Sequence, residues 1–141
     1  MRLTLELEGS GLAPVLPGDG ADLVALMSFA VMRGFGGTHP LVALADRLQA
    51  LKVPLGPLTT FYERQPEDSE DREKLELAWQ RPAELVESLN RLVAALETDQ
   101  LAQTLVRRAQ AGQAAEQARA LAAPLASAIE QGARVRLVYD L

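Results

Sequence analysis

At 141 residues the chain has the length of one domain and can bury a core without covalent staples. It has no cysteine, which excludes disulfides, thiolate metal sites and cysteine nucleophiles, and fits a reducing compartment. Its net charge of −5 argues against nucleic acid or an anionic membrane as a partner of the surface as a whole.

The opening residues "RLTLELE" place Leu3, Leu5 and Leu7 on one side and Arg2, Thr4, Glu6 and Glu8 on the other, the period of a half-buried strand over about 2–8. Acids and alternation at this end do not resemble a secretory or transit signal, and the chain is expected to begin as folded structure. The last residues behave alike: a strand over about 134–140 turns Val135, Leu137 and Tyr139 to one face and Arg134, Arg136, Val138 and Asp140 to the other.

An antiparallel register with residue numbers summing to 142 sets Arg2 against Asp140, Glu6 against Arg136 and Glu8 against Arg134. A parallel register that starts with Arg2 against Arg134 sets like charges opposite each other, which is destabilising, so the antiparallel pairing is predicted. Two strands alone are marginal. The ribbon must therefore lie on helices or gain strands from another copy.

Between the strands the patterns are helical. Residues 9–20, rich in Gly and Pro, form a loop, and Asp19 with Asp22 resembles a helix-starting cap. The helix over 21–33 is apolar all round, which marks it as central or covered by a partner. A helix over 40–52 follows with Leu41, Leu44, Leu48 and Leu51 at spacings of three and four. Asp68 and Asp71 can start a helix over 69–79 that carries Leu75, Leu77 and Trp79. Pro82 opens a helix over 82–97, whose stripe of Leu85, Leu89, Leu92 and Leu96 is the clearest in the chain. An Ala-rich helix over 99–123 permits close neighbours, Pro124 breaks it, and a last helix over 124–131 stops at Gly132. The expected architecture is one domain over 1–141 of α+β class and predominantly helical. It is a five- or six-helix bundle with a small antiparallel ribbon formed by the N- and C-terminal strands.

The stretch "RGFGGTHP" at 33–40 holds the only histidine of the chain. As structure it reads as a helix stop, a glycine-rich reversal and a cap at Thr38 or His39 before Pro40. As chemistry, Arg33, Gly36, Gly37, Thr38 and His39 could gather around a small anion. "GFGG" fits neither the dinucleotide-binding nor the P-loop fingerprint. The seven carboxylates from Glu63 to Glu76 lack EF-hand spacing, and no HExxH or GxSxG occurs. They read as a solvated helix start. Phe61, Tyr62 and Trp79 read as core anchors in preference to an aromatic binding surface.

No catalytic residue, metal site or cofactor is therefore expected, and the reading inclines away from an enzyme. The expected function is a non-catalytic protein-protein interaction module, either a homo-oligomeric scaffold or a small accessory subunit of an intracellular assembly, without membrane insertion and located in the cytoplasm. The alternative is a small anionic-ligand-binding protein or enzyme using the loop at 33–40. A weaker alternative is a nucleic-acid-associated factor using a local patch of Arg107, Arg108 and Arg119.

Overall fold

A computed structural model of the chain describes residues 1–31 and 39–141, with the backbone alone at 12 and 13. In chain order it runs β1 (Arg2–Leu7), β2 (Gly11–Ala13), a 3-10 turn (Pro17–Gly20), α1 (Ala21–Val31), α2 (Pro40–Ala50), the single turn α3 (Gly56–Thr59) and β3 (Phe61–Glu63). It continues with α4 (Ser69–Glu76), α5 (Pro82–Thr98), α6 (Gln100–Arg108), α7 (Ala114–Ala122), α8 (Leu125–Gln131) and β4 (Val135–Asp140). The fold is α+β and mainly helical, with a small mixed sheet.

The terminal strands pair antiparallel with Arg2 opposite Asp140, Leu3 opposite Tyr139, Glu6 opposite Arg136 and Leu7 opposite Val135. Just beyond the strands, the Glu8 amide donates to the Arg134 carbonyl at 3.0 Å, and the two side chains form an ion pair. They are not an isolated ribbon. The sheet has four strands in the order β2-β1-β4-β3, with β2 antiparallel to β1 and β3 parallel to β4. This chain thus supplies two of the strands that a bare ribbon lacks. Both were hidden by length: each has three residues, β2 inside the Gly- and Pro-rich stretch read as loop, β3 inside "TTFYER". Weak signals existed in the glycine-containing reversal after Leu7 and in the aromatic run at 61–62.

The supposedly polar face of the terminal strands is also covered. Thr4, Arg136 and Val138 are buried along with Leu3, Leu5, Val135 and Leu137. A strand buried on both faces needs partners for its polar side chains. Thr4 Oγ1 donates to the Pro14 carbonyl at 3.0 Å.

The core joins the inner sheet face to the α5 stripe, where Leu85, Leu89 and Leu92 are fully buried. Each such leucine contributes about 1.5–3 kcal/mol on leaving water. Around α5 lie α7 and α8, while α1 packs on α2 and α7. The alanines of α7 do what small residues permit: Ala114 and Ala118 are buried, and the helix sits against two neighbours from its own chain. Of the apolar helix α1, Leu23, Leu26 and Met27 are buried and Val31 is exposed; the remainder of the expected helix falls in 32–38, outside the described residues.

The count of five or six helices is not matched: the single turn α3 was not expected, and two expected helices differ. The stretch 99–123 is split into α6 and α7, because Gln110 takes a left-handed φ of 56° and the Ala111 amide closes back on the Val106 carbonyl at 3.0 Å. A new helix then starts at Ala114, and its leading amide, Gln113 N–H, donates to the Asp22 carboxylate at 2.8 Å. Asp22 was expected to start α1; it stabilises the start of α7 instead. Asp19 makes no cap either, since it sits in the 3-10 turn with a φ of 59°. The start of α1 is served by Gln117 of α7, whose Oε1 accepts from Leu23 N–H at 2.9 Å while its Nε2 donates to the Pro17 carbonyl at 2.9 Å. The second difference is α4, which stops at Glu76, leaving Leu77 exposed and Trp79 in an extended connection where Gln80 bridges to Val135.

Helix junctions are held by carboxylates as well. Asp99 caps α6 by accepting from Ala102 N–H at 2.9 Å and takes both Nε and Nη2 of Arg47 at 3.0 and 2.7 Å. The Arg47 hydrogen bonds, followed by that from Ala102, lower its pKa from 3.8 to about 2.

Two outcomes follow from these contacts. Gln117→Ala strands the Leu23 amide and the Pro17 carbonyl beside a new cavity, and should cost about 2–4 kcal/mol, read from urea unfolding midpoints. The contribution of ionised Asp99 is complete above its unfolded pKa and lost as pH falls toward 2. Asp99→Asn keeps an acceptor for the cap and removes the charge. Its stability deficit against the parent, measured at a series of pH values, is expected to be largest near neutrality and to shrink between about pH 4 and 2.

Candidate functional site

Arg33, Gly36, Gly37 and Thr38 lie outside the described residues. His39 is described, and its ring has structural work. It is the N-cap of α2, with Nδ1 accepting from Leu41 N–H at 3.1 Å, and Pro40 fills the first helical position. The imidazole also stacks on Phe29 of α1, with ring centroids 4.1 Å apart and planes 15° off parallel. The start of α2 is thereby fixed to α1.

The arginine patch is divided. Arg119 is ion-paired with Glu97, Arg107 donates to Thr104 Oγ1 at 3.2 Å, and Arg108 is exposed. In the acidic stretch, Asp68 caps α4 by accepting from Asp71 N–H at 2.7 Å, and Lys74 lies 3.6 Å from Glu70. Among the described residues no three carboxylate or imidazole side chains gather where one ion could bind them. Phe61 is half-buried and meets Tyr139 edge-on at 6.1 Å. Burial, and then the charge of Glu63, raise the pKa of that tyrosine.

A surface not singled out by sequence is assembled where the α4–α5 connection passes the end of α8. Its foundation is Arg136, 7% exposed in the middle of β4. The guanidinium donates through Nε and Nη2 to Glu6 at 3.0 and 3.2 Å and through Nη1 to the Leu75 carbonyl at 2.9 Å. Its carbon stands 4.1 Å from the centroid of the Trp79 ring. The charge is met by a carboxylate, the donors by oxygen, and the flat face by indole. Arg134, two residues earlier on the same face, lies 5.8 Å from the same ring and is held by Glu8 at 3.1 Å. Hydrogen bonding from Arg134 lowers the Glu8 pKa.

Beside this stack lies a groove of about 380 Å³ between the first turn of α5 and the end of α8. Arg81, Pro82 and Ala83 form one wall, and Ile129, Gly132, Ala133 and Arg134 the other. Local chemistry explains its shape. Pro82 fixes the start of α5, Gly132 adopts a left-handed φ of 65° that ends α8, and the Ala133 amide closes on the Ala128 carbonyl at 3.0 Å. Gln80 ties the connection to β4 through two backbone hydrogen bonds with Val135 at 2.7 and 2.9 Å. The groove is therefore held on both sides by backbone, and aliphatic and ring carbons form most of its surface. The sequence carries little sign of the groove, because its walls are ordinary Pro, Ala and Ile positions separated by some fifty residues; only the stop signal at Gly132 is legible.

No protein-family model matches the chain, and no curated protein or solved structure matches it either.

The Arg136 stack yields a direct test. Arg136→Lys keeps the charge but loses the forked contact with Glu6, the bond to Leu75 and the flat face against Trp79. It should destabilise by about 1–3 kcal/mol and shift the emission of Trp79, the only tryptophan, to the red.

Proposed function

We propose that this chain is a non-catalytic protein-protein interaction module, a homo-oligomeric scaffold or a small accessory subunit of an intracellular assembly, and that its partner seats in the groove between α5 and α8. The observation that supports this is the groove itself: an apolar concavity between two backbone-anchored walls, opening on the surface beside Ile129, which is 45% exposed. Leu77 on the adjoining connection is 77% exposed. Exposed aliphatic side chains next to an apolar concavity are the ordinary makings of a contact surface. No helix among the described residues is long and apolar enough to cross a membrane.

The terminal strands are flanked by β2 and β3, and the Ala-rich helix finds its neighbours within the chain, so neither calls for a partner. The reading rests on the groove. The alternative of a small anion at 33–40 has His39 already engaged by the α2 amide and by Phe29.

Native mass spectrometry of the protein purified from its own source tests the proposal. The parent is expected to carry a second copy or another chain, and Ile129→Asp is expected to release it while its unfolding midpoint stays close to that of the parent, as for most exposed positions. A complex that survives Ile129→Asp would overturn the assignment of the groove.

A further inference from the structure

We infer that the groove between α5 and α8 takes a partner segment that presents an aliphatic side chain together with a carboxylate: the aliphatic group sits against Pro82, Ile129 and Ala133, and the carboxylate on Arg81. The inference rests on the proposed function and adds the chemistry of the occupant.

Two arginines border the groove, and they differ in what they have left to give. Arg134 is engaged by both oxygens of Glu8, at 3.3 and 3.1 Å from its Nε. Arg81 is exposed, and among the described residues it has neither an ion pair nor a side-chain hydrogen bond. The groove therefore has one uncommitted guanidinium beside an apolar wall. A guanidinium is a planar fork of donors that matches the two oxygens of a carboxylate. The apolar wall selects against a heavily hydrated anion such as free phosphate, which gains nothing from Ile129 or Ala133. With a single unpaired cation among its described lining residues, the site also lacks the repeated charges that a nucleic-acid backbone engages.

The position of Arg81 is prepared in advance. Its predecessor, Gln80, is bound to Val135 in both directions, and its successor, Pro82, begins α5. Arg81 itself takes the extended φ of −75° and ψ of 130° that precedes a proline. Little backbone freedom remains to be lost on binding, so the contact depends on ordering one side chain. The chain as a whole carries a charge of −5, which repels an anionic partner at a distance. Recognition must then come from the short-range pairing of apolar contact with Arg81, and an anion without an aliphatic group should bind poorly.

Trp79 supplies the reporter, since Arg134 both lines the groove and lies over its ring. The experiment titrates the full chain with three capped peptides and follows the indole N–H resonance and the amides of Ala83 and Ala133. The peptides are acetyl-Ala-Ala-Leu with a free carboxylate, the same peptide as its amide, and acetyl-Leu-Asp amide, in which a side chain supplies the carboxylate. At least one carboxylate peptide is expected to bind about tenfold more tightly than the amide, the scale of one charge-assisted contact. Arg81→Gln should erase that difference, and Arg81→Lys, which keeps the charge but loses the planar fork, should reduce it. Acid and amide titrating alike on the parent, or a preference that survives Arg81→Gln, would overturn the inference, as would the absence of binding by all three. That failure is distinguishable from failure of the functional proposal. If Ile129→Asp still releases the native partner, the groove docks a partner through apolar contact alone and only the carboxylate is lost; if the partner remains bound, both readings fall.

Discussion

The pairing of β1 with β4 is the constraint from which the rest of the molecule is arranged. It brings Arg2 opposite Asp140, so nearly the whole chain is one closed loop and every helix must be accommodated between two neighbouring strands. Closing a loop of that length costs about 4 kcal/mol in chain entropy. No exposed ion pair offsets that cost by itself. The offset comes from the buried faces of the pair, Leu3, Leu5, Val135 and Leu137 on one side and Thr4, Arg136 and Val138 on the other. A pairing that joins the two ends of the chain is also the last kind of contact to become affordable during folding, so helices such as α5 have reason to form first.

The buried polar groups share a logic that follows from this closure. Apart from Thr4, which bonds to nearby Pro14, they join elements distant in sequence, and each is satisfied: no buried side-chain nitrogen or oxygen among the described residues lacks a hydrogen-bond partner. Gln117 joins α7 to the start of α1, Arg136 joins the sheet to α4, and Ser88 of α5 donates to the Pro54 carbonyl at 2.5 Å. Asp22 and Asp99 do the same from the surface, where each serves the start of a helix. Apolar packing supplies the bulk of the stability, and these polar groups decide which helix end meets which neighbour.

That division explains what could be read in advance. Period-two alternation and the charges of residues 2–8 and 134–140 sufficed for the terminal strands and their register, and the leucine stripe of α5 sufficed for the central helix. The break between α6 and α7 was not legible, because Gln110 gives no sign of a left-handed backbone and the carboxylate that favours the new start, Asp22, lies some ninety residues away. Arg136 reads as a surface charge until α4 and Trp79 are laid over it. The loop at 33–40 was conspicuous for its residue types, yet its described member, His39, is engaged in helix capping and ring stacking. The groove was inconspicuous for the opposite reason: its chemistry lies in the meeting of two ordinary helix ends.

The direction of β4 has a consequence for anything joined to this domain. The strand starts at Val135, beside the groove, and ends at Asp140 next to Arg2, so Arg2 and Asp140 lie together at the far end of the two central strands. Five residue steps of strand separate that end from the groove, about 17 Å. A tag, a tether or a neighbouring domain attached at either end therefore starts from a common exit, one strand length from the mouth between α5 and α8. Two such attachments, one at each end, would be held side by side.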